Sequence, residues 1–188
     1  FDCDGVIWGI SDQDTRTSVA TINYLLDIGK RVMFVTNNSN KTRAQFVCQL
    51  ESKGVQFGGR SESEKLQMMV SASFTTAAYL RDMGLRRPFI ITSDTGLQAE
   101  CRLLGITDYV STVTDDGKAS PGFEDLNMKY APDIIRAHPS VDCVVVGWDM
   151  QLTALKVATA INYIKWHEDL YGGKLGYRPM PLIASAGD

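Results

Sequence analysis

The chain of 188 residues is 44% hydrophobic and 22% charged, with a formal net charge of -3. That length buries a sizeable core, as one domain or two small ones, and no stretch approaches the roughly 18 continuous apolar residues of a membrane span. With no basic tail or Lys/Arg block, a nucleic-acid backbone is excluded as the main partner.

A strand ends at residues 1–4, and Val6-Ile7-Trp8 leads away from it. Residues 17–26 place Val19, Ile22, Leu25 and Leu26 on one helical face before Gly29 stops the pattern. Residues 31–35 form a short apolar strand. The spacing of Phe46, Val47 and Leu50 predicts a helix over 42–53, closed by Gly54. Strand, helix, strand, helix is the grammar of an α/β protein with a mostly parallel sheet.

Residues 56–65 are polar and contain Gly58-Gly59, which predicts a loop; 73–83 read as a helix. The alternation then restarts with a strand at 88–92, a helix at 95–104 and a short strand at 109–113. A loop over 114–126 holds Asp115-Asp116-Gly117 and Pro121-Gly122. A short helix at 131–138, a strongly apolar strand at 141–147 and an amphipathic helix at 152–166 follow. Residues 167–179 read as another loop, and 181–185 as a final strand. Periodicity does not decide whether the block from about residue 86 extends the first sheet or forms a separate lid. Both ends read as cut, since Phe1 already lies inside a strand and Asp188 follows one; the chain is expected to be an excerpt of a longer protein.

Cys3, Cys48, Cys101 and Cys143 are widely spaced and form no CxxC pair. Three sit in apolar helix or strand patterns and are read as small buried hydrophobes rather than a zinc or disulfide framework, which favours a reducing compartment.

Asp2 and Asp4 stand at i and i+2 at the end of an apolar strand. In an extended conformation both point to one side, at the end of a parallel strand where such folds bind ligands. Two carboxylates that close repel unless a cation neutralises them, and a hard oxygen pair suits Mg2+, which retains waters and also contacts phosphate. Gly5 permits a tight reversal that brings backbone N–H groups toward an anion. The same residues also read as an ordinary surface turn.

Thr36-Asn37-Asn38-Ser39 follows Val32-Met33-Phe34-Val35 directly, at the matching end of a second strand. Ser39 or Asn40 is read as a helix N-cap, with or without a phosphate-side role for the hydroxyl and N–H groups around Thr36. The two signals together suggest in-line displacement at phosphorus: one carboxylate attacks, the other handles protons, and a metal offsets charge.

Asp2-Cys3-Asp4-Gly5-Val6-Ile7-Trp8, followed by Phe34-Val35-Thr36-Asn37-Asn38-Ser39-Asn40-Lys41-Thr42-Arg43, resembles the haloacid dehalogenase superfamily. The similarity is greatest to its branch of phosphoglycolate phosphatase and 4-nitrophenylphosphatase. Phe74–Leu80 with Gly84, Val144-Val145-Val146-Gly147-Trp148-Asp149 and Lys156–Tyr163 extend the resemblance along nearly the whole chain.

The resemblance implies a Rossmann-like parallel-sheet core, incomplete here (1–85), with an inserted α/β cap (86–188) that selects substrate and through which members often dimerise. It implies Asp2 as nucleophile, Asp4 as general acid/base, Mg2+ held by Asp2 and Asp4, and Thr36, Asn37, Asn38 and Gly5 on the phosphate side. The substrate it implies is 2-phosphoglycolate or a similar small ester; a cytoplasmic location is expected, with an organellar one also open. The alternatives are a broader aryl, sugar or nucleotide phosphatase, or a catalytically incomplete interaction protein. The family's phosphate-stabilising lysine and its Gly-Asp metal motif are expected beyond Asp188. Ser185-Ala186-Gly187-Asp188 departs from the family's Thr-Asn-x-Asp segment, and Asp188 is not assigned to the metal.

Other residues stay unassigned. His138 and His167 are read as surface or cap residues, and Trp148 and Trp166 as packing residues. Lys118, Lys129, Lys174 and Arg178 are candidate anion contacts, and Arg43 is open between an ion pair and support of the phosphate region.

Overall fold

The computed structural model describes residues 1–9, 11–124 and 131–185. Helix α1 (Asp12–Asp27) begins earlier than the apolar spacing predicts, because Ser11 Oγ accepts the Asp14 N–H and Asp12 and Asp14 sit at the positive end of the helix. Strand β1 (Phe34–Thr36) is followed by α2 (Arg43–Ser52). The cap of α2 is Thr42 in a reciprocal capping box with Gln45, rather than Ser39 or Asn40.

The loop expected over 56–65 ends sooner than its polarity suggests. Ser61 and Glu64 form a second capping box that starts α3 (Glu62–Gln67), and β2 (Met69–Ser71) runs parallel to β1 with Phe34 opposite Met69. The expected first strand is reduced to a parallel bridge between Asp2 and Val35, with Val35 N–H donating to the Phe1 carbonyl at 2.8 Å. On one face of this sheet Phe34 and Met69 pack with Ile22, Leu26, Phe46 and Leu50 from α1 and α2. Each side chain buried this way contributes about 1.5–3 kcal/mol. Met33 and Val35 point the other way and stay 41% and 48% exposed.

Helix α4 (Ala72–Asp82) leads into a second sheet of four parallel strands, ordered β4-β3-β5-β6. These are β3 (Pro88–Ile91), β4 (Val110–Ser111), β5 (Cys143–Val146) and β6 (Leu182–Ala184). The central strands β3 and β5 are apolar throughout because both faces are covered. On one face Ile90, Cys143 and Val145 meet Ala77 and Leu80 of α4 and Leu97 and Cys101 of α5 (Gly96–Leu103). On the other, Phe89, Ile91 and Val144 meet Ile134 and Ile135 of α6 (Ala131–Ala137) and Leu155, Ala160 and Tyr163 of α7 (Ala154–Tyr171). Helix α7 runs through the polar residues 167–171, which had read as loop, and ends at Gly172. The result is a three-layer α/β/α arrangement whose cover includes α4, from before residue 86.

Candidate functional site

Cys3 is fully buried while Asp2 and Asp4 on either side of it are exposed, as alternation along an extended segment requires. The chain then reverses. The Cys3 carbonyl accepts N–H bonds from Ile7 (2.9 Å) and Trp8 (3.2 Å), and Gly5 takes a φ of 76° that other residues rarely adopt. The Gly5 N–H, expected to face an anion, instead donates to the Trp8 carbonyl at 2.7 Å and closes the turn.

The Asp4 carboxylate is held from two sides. Trp8 Nε1 donates to Oδ1 at 2.8 Å, and the Thr36 hydroxyl donates to Oδ2 at 3.1 Å. Thr36 Oγ1 in turn accepts the Asn38 N–H at 3.2 Å, and Asn38 Oδ1 accepts the Asn40 N–H at 2.9 Å. Asp2 Oδ1 accepts the Cys3 N–H at 2.8 Å. The two motifs read from the sequence are therefore brought into direct contact through Asp4 and Thr36. Trp8 was quoted in the sequence only as part of a motif. Its indole stacks on Phe46 at 6.5 Å, which fixes the N–H against Asp4.

A cavity of about 290 Å³ opens where the loop after β1 faces the loop after β5. Both loops leave the carboxyl ends of parallel strands, the usual position for a ligand in such sheets. Asp4, Asn37, Asn38, Ser39 and Asn40 line one side, and Gly147, Trp148 and Asp149 the other. Asp2, Gly5 and Thr36 are not among the lining residues. Trp148, read as a packing residue, is 48% exposed and forms part of the wall, while its backbone N–H donates to Ser39 Oγ at 3.3 Å. Asp149 is anchored by Lys156 at 2.7 Å, a pair whose side chains are 2% and 7% exposed. Nothing local in the sequence marks that pairing.

Burial, then the charges of Asp4 and Asp2, push the Cys3 thiol up to about 12, so it stays neutral and poorly nucleophilic near pH 7. Among the described residues no group of three or more His, Cys, Asp or Glu gathers as a metal site. Asp4 does supply a hard carboxylate oxygen at the cavity wall and Asp2 another two positions earlier, a donor type that suits Mg2+ with waters completing its shell.

The four cysteines are free thiols; Cys3, Cys101 and Cys143 are buried and Cys48 is exposed. His167 packs against Tyr171 and Tyr177, Lys118 pairs with Asp116 at 2.6 Å beside a Gly117 turn, and Lys174 lies over the Tyr171 ring. Lys129 and Asp188 lie outside the described residues.

A family profile described as haloacid dehalogenase-like hydrolase matches residues 1–107. The chain is 31% identical over 186 residues to the glycerol-3-phosphate phosphatase of Rattus norvegicus, covering 97% of this chain and 54% of that protein. It is 32% identical to the chloroplastic phosphoglycolate phosphatase 1A of Arabidopsis thaliana, covering 84% and 40%. Among solved structures, a mutant thermostable NPPase from Geobacillus stearothermophilus superposes with a TM-score of 0.61 at 21% identity, covering 100% and 55%. The chain spans about half the length of the curated relatives it matches. No helix among the described residues is long and apolar enough to cross a membrane.

Proposed function

The chain belongs to the haloacid dehalogenase-like hydrolases, and from that premise we propose that it hydrolyses small phosphate monoesters through a covalent intermediate on Asp2. The observation that carries this reading is the Asp4 carboxylate, held by Trp8 and Thr36 beside a cavity it shares with Asn37 and Asn38. In this reading the Asp2 carboxylate attacks phosphorus in line, and the ester P–O bond breaks as Asp4 gives a proton to the departing oxygen. Asp4 then takes a proton from the water that cleaves the acyl phosphate, releasing inorganic phosphate and restoring Asp2. Thr36 and the amides of Asn37 and Asn38 orient the phosphoryl oxygens, and Gly5 contributes the turn that places Asp4. Asp2 and Asp4 would hold Mg2+, which would supply positive charge to offset the phosphoryl oxygens.

The second sheet with its helices acts as a cap, and Trp148 and Asp149 bring that layer to the cavity wall. A cavity of about 290 Å³ suits a small ester, with 2-phosphoglycolate the leading candidate. The relatives carry different substrates in their names, so a broader aryl, sugar or nucleotide phosphatase is the alternative. Dimerisation through the cap and a cytoplasmic location complete the proposal.

The test is hydrolysis of 2-phosphoglycolate, glycerol 3-phosphate and 4-nitrophenyl phosphate by the full-length protein with Mg2+. Asp2→Asn abolishes turnover if Asp2 is the nucleophile; activity retained in that variant rejects the assignment. A folded full-length protein inert toward every ester would point to an interaction protein instead.

A further inference from the structure

The loop that follows Thr36 is gripped at its far end by the second layer. Glu100, in α5, has a side chain 1% exposed and pairs with Arg43, 57 positions earlier. Its Oε1 accepts the Arg43 backbone N–H at 2.7 Å, and its Oε2 lies 3.3 Å from Arg43 Nε and 3.2 Å from Nη2. The guanidinium lies over Phe74 of α4, 3.7 Å from the ring centroid. Arg43 is the first residue of α2, so its N–H has no helical carbonyl within reach, and the carboxylate also faces the positive end of that helix. The Ser73 hydroxyl donates to the Lys41 carbonyl at 2.7 Å beside this pair.

A buried ion pair is a poor device for stability alone, since an apolar pair of similar size often does as well. What this one adds is geometry. The fork of Arg43 and its own backbone N–H are fixed to one carboxylate, so the start of α2 is pinned in position and direction. The loop from Thr36 to Thr42 then has one end on β1 and the other on that pinned turn.

We propose that Glu100 is a positioning residue of the phosphate loop, through which the second layer sets Thr36–Asn40 against Asp2 and Asp4. Its consequence for turnover rests on the phosphatase reading above; its consequence for loop order does not.

The experiment uses the full-length protein and three variants. Glu100→Gln keeps the shape but removes the charge, Glu100→Asp keeps the charge, and Ile135→Ala weakens the core under α6, on the face of the second sheet away from α5. Turnover of 4-nitrophenyl phosphate with Mg2+, inhibition by orthovanadate and amide exchange over residues 36–42 are measured for each. Glu100→Gln lowers kcat by about 10-fold or more, weakens vanadate to a similar degree and leaves KM within about 3-fold, as mispositioning of a reacting group does. Its loop amides exchange faster, Glu100→Asp recovers part of each effect, and Ile135→Ala lowers Tm without moving kcat.

Wild-type kcat and vanadate inhibition in Glu100→Gln, or slow loop exchange in that variant, overturns the proposal. If the wild-type protein hydrolyses no ester, the phosphatase reading fails and loop exchange alone decides the positioning role. Should Glu100→Gln not fold, Arg43→Lys, which keeps the charge but loses the fork, carries the same expectations.

Discussion

Replacing Gly96 by alanine tests the junction of the two layers directly. Gly96 is the first residue of α5 and has an ordinary backbone conformation, so the substitution introduces no strain of its own. In a helix interior alanine is favoured over glycine by about 1 kcal/mol, and the gain shrinks at a first position. Here, however, the new Cβ would stand 2.5 Å from both C and O of Asn40 and 2.6 Å from the Lys41 nitrogen. That is nearly an ångström short of ordinary contact, which begins at 3.4 Å, and every atom it meets is backbone. Overpacking of this kind costs about 1–3 kcal/mol. The expected net effect of Gly96→Ala is therefore destabilisation by about 1–2 kcal/mol, a Tm lower by about 2–8 °C for a chain of this size. Urea titration and calorimetry read it, with Gly59→Ala as control, because nothing lies within 4 Å of a Cβ there. A Gly96→Ala protein as stable as the parent, or more stable, would refute the close approach of α5 to the loop after β1.

Thr36→Val removes the hydroxyl that bonds both Asp4 and the Asn38 N–H, and catalytic efficiency should fall by about 1–3 kcal/mol, 5- to 150-fold in kcat/KM. Lys156→Met leaves the buried Asp149 carboxylate without its cation and should destabilise the fold by about 3–5 kcal/mol in chemical denaturation. Cys48 should react with iodoacetamide at pH 8 far faster than Cys3 or Cys101, read by peptide mass spectrometry, because burial raises both of those thiols to about 12. The same shift carries a sign for stability. Thiols raised in the fold from the ordinary 9.0 favour folding fully below pH 9, and that contribution is lost as pH climbs toward 12, which a urea midpoint series should show as a decline.

Much of the architecture is written in local signals. The apolar runs at β3 and β5 and the amphipathic pattern of α7 leave little choice, and carboxylates at the end of an apolar segment marked the place where the chain turns. The elements that escaped were short or polar. Helix α3 has no buried residue, and only the Ser61–Glu64 capping box announces it; β2 has three residues, too few for alternation to register. Residues 167–171 looked like loop because His167, Glu168 and Asp169 are polar, yet the helix continues to Tyr171 as an exposed turn in which the His167 ring lies against Tyr171. Within the site, Asp4 and Thr36 were legible as neighbours. The indole N–H of Trp8 and the Lys156–Asp149 pair, four and seven positions apart, were not, because each rests on a turn whose side-chain directions apolar periodicity does not give, and the Trp148 wall depends on how two distant loops meet. Gly5 shows the opposite case, in which the conformation was legible and the direction of the N–H was not.

The clasp of Arg43 by Glu100 and Phe74 also bears on how this chain can be recombined. A second layer transplanted from a relative would have to bring an acidic side chain at the register of Glu100, an aromatic at that of Phe74 and a glycine at that of Gly96. Without them the host inherits a guanidinium sealed beside an uncharged wall, and a helix whose first N–H has lost its acceptor. The natural crossover point for a chimera therefore falls before α4, at Ser71 and not in the turn at residue 85, so that Phe74, Gly96 and Glu100 travel together; Arg43 then has to be matched in the host.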